Sequence, residues 1–271
     1  MGLAIDTIAV DANNPGATFT AATVVASNND SLTIRNYPAQ NQAYMVDVIR
    51  RHNTSGAVRV LSPLLHDNVT GMTWYTNETP SLLEVPPYVG QRIEPGDTLT
   101  VQVTGDTTHH CSVYMVNYYT NLSGASANLY NLSDIQNSIK NVKPVTVAVT
   151  ASGTVGLWSD TLITATENQL HATSFYAVLG YSTDTALGAI GFKAQATGNL
   201  RICGPGATTP EDTTDYFVVK NNDWNMPYIP VFNGQDRGAC YVSVADNTAS
   251  TTANVTLVLA ELNGTNWVKT G

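Results

Sequence analysis

With 271 residues, 43% of them hydrophobic, the chain has enough apolar material to bury a core, which excludes disorder and leaves room for one large domain or two small ones. Only 12% of the residues are charged, about half the usual share, so Asn, Thr and Ser supply the polar surface instead. Twelve Lys plus Arg against 21 Asp plus Glu give a net charge of −9, which excludes a coat that binds nucleic acid by neutralising phosphates.

The first ten residues, MGLAIDTIAV, hold neither a basic n-region nor an apolar stretch long enough for secretion, and no run of about 18 apolar residues follows. A soluble protein made in the cytoplasm is expected. Asp6 stands where a myristoylation motif starting at Gly2 needs Ser or Thr. Further on, most segments alternate with period 2, carry Val, Ile, Thr and Tyr, and end in Asn, Gly, Pro and Asp clusters, as half-buried antiparallel strands do. Strands are predicted at 44–49, 98–103, 113–116, 241–244 and 254–259. One helix is predicted, at 133–140, where Ser133 and Gln136 make a capping box and Ile135 and Ile139 share a face.

The two sides of that helix repeat one another. Residues 46–60 align without gaps on 178–192, an offset of 132. Pro87-Tyr88-Val89 then meets Pro227-Tyr228-Ile229 at 140, Val101-Gln102-Val103 meets Val242-Ser243-Val244 at 141, and Val113 meets Val255 at 142. Each half reads as a hairpin turning at Gly56 or Gly188, a Pro-rich excursion at 62–97 or 203–235 in equivalent places, and a final hairpin. A half of this size holds roughly eight strands, the size of a jelly roll. The expected fold is all-β: two tandem jelly-roll sandwiches, at 1–132 and 145–271, joined by a short helical linker at 133–144.

Such a chain, with two similar β halves in tandem, a short helix between them and few charges, resembles the double jelly-roll major capsid proteins of the tectivirus and adenovirus lineage. The resemblance spans nearly the whole chain and is one of architecture, so it carries over no binding residue. It implies a bacteriophage capsid protein that self-assembles as a pseudo-hexameric trimer into an icosahedral shell. Its partners are then further copies of itself, neighbouring capsid proteins and, in some relatives, an internal virion membrane. Closing each sheet removes exposed strand edges, and Asn/Thr-rich walls pack laterally at little desolvation cost. The aromatic residues of the excursions, Trp74, Tyr75, Tyr88, Trp224, Tyr228 and Phe232, are candidate interface anchors; alternatively, Trp74 and Trp224 cap the open ends of their own barrels.

Chemistry has little to rest on. Adjacent His109 and His110 point to opposite faces of any strand and no Glu follows in reach, unlike the spaced ligands of a metal-binding cupin; His52, His66 and His171 stand alone. No G-x-S-x-G, P-loop or Rossmann pattern occurs. Glu84, Glu94, Asp97 and Asp106 flank Pro and Gly in turns, although two facing carboxylates from distant strands are a pairing that sequence leaves open. Arg50-Arg51-His52 is a solvated hairpin end or a seat for a phosphate or an acidic neighbour. Cys111, Cys203 and Cys240 lack metal spacing and read as buried thiols or, for the last two, as a disulfide. The N-x-[ST] triplets at Asn68, Asn77 and Asn254 are those a chain this rich in Asn, Ser and Thr produces by chance. The expectation is a non-enzyme without metal or cofactor; the competing reading is a carbohydrate-binding or adhesive β-sandwich of a tail spike or lectin, whose exposed Trp and Tyr stack on sugars.

Overall fold

The computed structural model describes residues 128–268 with their side chains, save 155–156, 186, 200, 207–212, 225–226 and 247 and the side chains of 205, 223 and 224; before residue 128 it describes the backbones of the strands named next. These are β1 (Ala4–Asn13), β2 (Thr20–Ala21), β3 (Thr23–Ala26), β4 (Ala43–Arg51), β5 (Gly56–Leu61), β6 (Met72–Thr76), β7 (Ser81–Glu84), β8 (Thr100–Gly105) and β9 (Cys111–Thr120). They form two antiparallel sheets, ordered β3-β1-β9-β4-β7 and β2-β8-β5-β6. The second half contains β10 (Leu129–Tyr130), α1 (Leu132–Ile135), β11 (Ile139–Thr150), β12 (Ser159–Leu162), β13 (Phe175–Thr183), β14 (Ala189–Lys193), β15 (Arg201–Pro205), α2 (Tyr216–Trp224), β16 (Ile229–Asn233), β17 (Tyr241–Ala245) and β18 (Thr252–Leu262). Its sheets run β10-β16-β13-β18-β11 and β12-β17-β14-β15.

Setting aside the extra edge strands β3 and β10, each half orders its eight strands 1-8-3-6 in one sheet and 2-7-4-5 in the other. That is the strand order of a jelly roll, so the chain is two jelly rolls in tandem. Register repeats as faithfully as order. Val58 pairs with Val103 and Ile190 with Val244; every pair from Ala57 to Leu61 recurs at offsets of 132 and 141. In the neighbouring sheet, Val46 pairs with Val116 and Val178 with Leu259, and in both halves a bulge follows directly, after Val46 and after Val178. The bulge thus falls at equivalent positions of the two units and bends the third strand of each in the same place. The last anchor shifts by one: Ser112, rather than Val113, is the equivalent of Val255.

Three sequence expectations change. The strands on either side of Gly56, and those on either side of Gly188, lie in different sheets, so these corners are crossovers between sheets rather than hairpins; the final pairs β8–β9 and β17–β18 cross in the same way. Alternation tells which face a residue takes but not which sheet its strand joins. The excursions hold the fifth and sixth strands of each unit, and their long connections are not equivalent. Residues 77–80 join β6 to β7, whereas 206–228 join β15 to β16 and contain α2. Finally, the helix shrinks to Leu132–Ile135 followed by a 3-10 turn, Gln136–Ser138, and most of the supposed linker belongs to the second unit. β11 starts at Ile139 and is paired with β18 along its length. It is an edge strand, exposed at Lys140, Asn141 and Val142, so its hydrophobic alternation begins only at Val145.

The core of the second unit lies between its sheets. Val145, Val147 and Val149 of β11 and Val255, Leu257 and Leu259 of β18 face Ile190, Phe192, Ile202, Val242 and Val244 of the opposite sheet. Phe232 bridges the layers, with ring centroids 5.7 Å from Tyr176 and 5.5 Å from Phe192. α2 closes the sandwich with Tyr216 and Phe217, whose rings stand 5.9 Å from Tyr181. Gly180 permits this approach: a Cβ there would collide with the Thr213 carbonyl and the Thr214 backbone, while the neighbouring Tyr181 N–H donates to Thr213 O at 2.9 Å.

Candidate functional site

The six aromatic candidates fall in different places. Tyr228 and Phe232 are 0% and 1% exposed in the core, Tyr228 against Phe217 and Phe232 between the sheets, so neither presents an atom to a neighbouring copy. Their apolar bulk is consumed by their own barrel. Trp224 ends α2 and its side chain lies outside the described residues, as do all of Tyr88 and the side chains of Trp74 and Tyr75. Register nevertheless separates the last two. Trp74 pairs with Val58 as Gly204 pairs with core-facing Ile190, whereas Tyr75 takes the opposite file. His109, His110 and the other acids and histidines singled out before residue 128 are outside the residues whose side chains are described.

Sequence reading missed a polar network on the outward face of the β12-β17-β14-β15 sheet. Asp160 accepts from Lys193 Nζ at 2.8 Å, Arg201 Nη2 at 2.9 Å, Arg201 Nε at 3.1 Å and Ser243 Oγ at 2.6 Å. Arg201 also lies over the Trp158 ring and Lys193 over that of Tyr241. Burial pushes the Asp160 carboxyl up, but the hydrogen bonds of Arg201, Lys193 and Ser243 and the charge of Arg201 outweigh it and bring the pKa down to about 2. Each residue comes from a different strand, so only the strand order unites them. On the same outward file, Ala189, Cys203, Ser243 and Ala245 are no more than 1% exposed, so the face is covered at these positions, while Asp160 and Leu162 at its β12 edge are exposed. Its edge strand β15 lies against β1 and β4.

The outward face of β11 and β18 differs. Thr146, Ala148, Thr150, Thr252 and Asn254 are exposed and none is charged. Near the 184 corner the face dips into a shallow depression lined by residues 148–150, Asp184 and residues 252–254. Asp184 there accepts from the Asn254 backbone at 2.8 Å and its side chain at 2.7 Å. At the far end, buried Glu261 takes Ser174 Oγ at 2.8 Å, with Lys143 and Lys140 at 3.2 and 3.5 Å. Burial raises the Glu261 carboxyl, and Ser174 and the two lysines reverse this to about 2.

Carboxylates held this low stay ionised at neutral pH and neither give nor take protons there, so these clusters suit positioning rather than acid–base work. Cys203 and Cys240 are buried free thiols, and burial followed by the Asp236 charge pushes Cys240 up to about 12. The disulfide reading is thereby replaced by the thiol one. Among the described residues no group of three or more His, Cys, Asp or Glu is placed to hold a metal ion.

No protein-family model matches the chain, and no curated protein matches it in sequence. Among solved structures it is similar to the PBSX exported protein XepA, with 9% identity and a TM-score of 0.26 over 93% of this chain and 85% of that one. It is similar to a chain of the Sulfolobus Turreted Icosahedral Virus structure, with 11% identity and a TM-score of 0.27 over 98% and 81%. A third likeness, to the major capsid protein P2 from Bacteriophage PM2, has 9% identity and a TM-score of 0.23 over 97% and 99% of the two chains.

Proposed function

We propose that this chain is a structural virion protein, a capsid subunit that self-assembles as a pseudo-hexameric trimer into an icosahedral shell. The observation that supports it is the duplicated unit: two jelly rolls of one strand order and one register in a single chain. Three such chains place six like units around one axis, so a closed ring forms without a six-fold gene product. The end of the β11 and β18 face away from Lys140, Lys143 and Glu261 suits lateral packing, because its Thr, Ala and Asn side chains cost little to desolvate compared with ions. The partners in this reading are other copies and neighbouring capsid proteins of a bacteriophage, with any internal membrane beneath the shell; the charge of −9 leaves the genome to other proteins.

Size-exclusion chromatography with light scattering tests it. The expected species is a trimer of about 87 kDa, three times 28.9 kDa, or a larger assembly built from it. A monomer at all concentrations up to about 100 μM, tighter than which a capsid contact of standard size should bind, overturns the proposal.

A further inference from the structure

We infer that Asn263-Gly264 is a self-modifying site, where the Gly264 backbone nitrogen converts Asn263 to aspartate and isoaspartate and thereby loosens the clasp that holds Trp267. The site stands whether or not the chain assembles. The chain contains two Asn-Gly pairs, Asn233-Gly234 and Asn263-Gly264, and glycine, lacking a Cβ, shields its own backbone nitrogen least. The fold treats the two pairs oppositely. Gly234 is buried, its N–H donates to Ser174 O at 2.8 Å, and a Cβ there would collide with the His171 carbonyl. Its Asn233 is held too, since Oδ1 accepts from the Gln235 N–H at 3.0 Å. Asn263 and Gly264 are both exposed, and Gly264 has a φ of +99°. Among the described residues neither the Gly264 N–H nor the Asn263 side chain makes a hydrogen bond.

The reaction needs only water. The Gly264 nitrogen gives its proton to hydroxide and bonds to Asn263 Cγ; Nδ2 takes a proton from water and leaves as ammonia; water then opens the five-membered imide. Breaking the bond from nitrogen to Cγ gives aspartate. Breaking the bond from nitrogen to the α-carbonyl carbon gives isoaspartate, whose main chain runs through Cβ and Cγ and is one atom longer. Either product adds a negative charge to the −9 of the chain. Where the extra atom falls decides its effect. Asn263 N donates to Ser138 O at 2.7 Å, and Trp267 Nε1 donates back to Asn263 O at 2.9 Å. The Trp267 ring stands edge-on to Tyr130 at 5.4 Å, and Asn128 Nδ2 donates to Trp267 O at 2.6 Å. Residues 263–267 are thus a short loop pinned at both ends to the stretch 128–138 that leads into β11. In isoaspartate the loop is longer and the Asn263 oxygen belongs to a carboxylate off the main chain, so the fit that seats Trp267 on Tyr130 is lost.

Incubation of the native full chain at mildly alkaline pH, followed by peptide mass mapping and labelling with an isoaspartyl methyltransferase, tests the site. Asn263 should convert at least about tenfold faster than Asn233, because Gly234 must first open locally before its nitrogen can react. The rate should rise with pH, since that nitrogen must lose its proton. In urea the two pairs should convert at similar rates. Conversion of both alike in the native protein, or of neither in the time that urea converts both, overturns the assignment. Limited chymotrypsin digestion then reads the clasp. Cleavage after Trp267 should be faster in aged than in fresh protein. It should stay slow in aged Asn263→Gln, whose longer side chain closes the ring far more slowly, and in fresh Asn263→Asp, which carries the charge without the added atom. Aged protein cleaved no faster than fresh, or fresh Asn263→Asp cleaved as fast as aged wild type, overturns the lengthened loop as the cause of release.

Discussion

Asp160→Asn keeps the shape of the side chain and removes the charge that Lys193 and Arg201 share. The Asp160 carboxyl falls from 3.8 to about 2 on folding because hydrogen bonds from Arg201, Lys193 and Ser243 overcome the burial that opposes ionisation. At 1.36 kcal/mol per pH unit, that difference sets a ceiling of about 2.5 kcal/mol on the stability the ionised carboxylate contributes. The side chains of Asp160 and Lys193 keep about a quarter of their surface in water, 23% and 24%, so solvent screening brings the expected value to about 1 kcal/mol. The folded pKa is the lower one, so the contribution is complete above pH 4 and disappears as pH falls from about 4 towards 2. Guanidinium unfolding of wild type and variant at pH 7, 5 and 3 measures it. The gap between the two curves should be about 1 kcal/mol at pH 7, persist at pH 5, and narrow at pH 3. An equal gap at all pH values, or a variant as stable as wild type at pH 7, would refute the assignment of the network as an ionic clasp.

Phe232→Ala removes the ring that links Tyr176 to Phe192 across the core and should cost about 3–5 kcal/mol, read as a lowered denaturation midpoint; an anchor acting only between copies would instead weaken assembly at unchanged stability. Gly180→Ala sets a methyl group against the Thr213 and Thr214 backbone and should lower the thermal midpoint by several degrees, as overpacking of about 1–3 kcal/mol does, while Gly238→Ala, with nothing within 4 Å of its Cβ, serves as the control. Iodoacetamide at pH 8 should leave Cys203 and Cys240 unmodified in the native protein and alkylate both in urea, as peptide mass spectrometry reports.

The strand positions were legible because each unit buries one face per sheet, and period-2 alternation records that directly. The offsets of 132 and 141 proved to be structural registers because they pass through the hydrophobic pairs Val58–Val103 and Ile190–Val244, which must be apolar in both units. The anchor at Val113 slipped by one because Val recurs on both files of β9, and a match of residue type does not say which face a position takes. α2 left little trace. Its buried face, Tyr216, Phe217, Lys220 and Asn221, is half polar, and the β-branched Val218 and Val219 are only half-buried at its margins, so no apolar stripe of helical period appears. The Asp160 network was invisible for another reason. Its members lie on four strands, 33 to 83 residues apart from Asp160, and become neighbours only through the 2-7-4-5 order.

Where the two units differ, they differ together. In the first, β7 pairs with β4 from Val48 to Arg51; in the second, β16 pairs with β13 only from Phe175 to Ala177, and the segment at Thr213 takes the remaining edge by accepting the Tyr181 N–H. The residue equivalent to Gly180 is Val48, and a side chain there is compatible with a sheet partner but not with a backbone crossing over it. The pair equivalent to Tyr181 and Gly204 is Ile49 and Trp74. A Cβ at Gly204 would strike the Tyr181 hydroxyl and the Tyr216 ring, so in the second unit the large residues are the tyrosines and the small one is the glycine. In the first, register puts Trp74 on the file of Gly204, opposite Val58 as Gly204 is opposite core-facing Ile190. On this reading Trp74→Ala opens a cavity and costs about 3–5 kcal/mol in the unfolding of the first unit. Assembly of the folded fraction, followed by light scattering, should be unchanged; a stable variant that no longer assembles would return Trp74 to the interface.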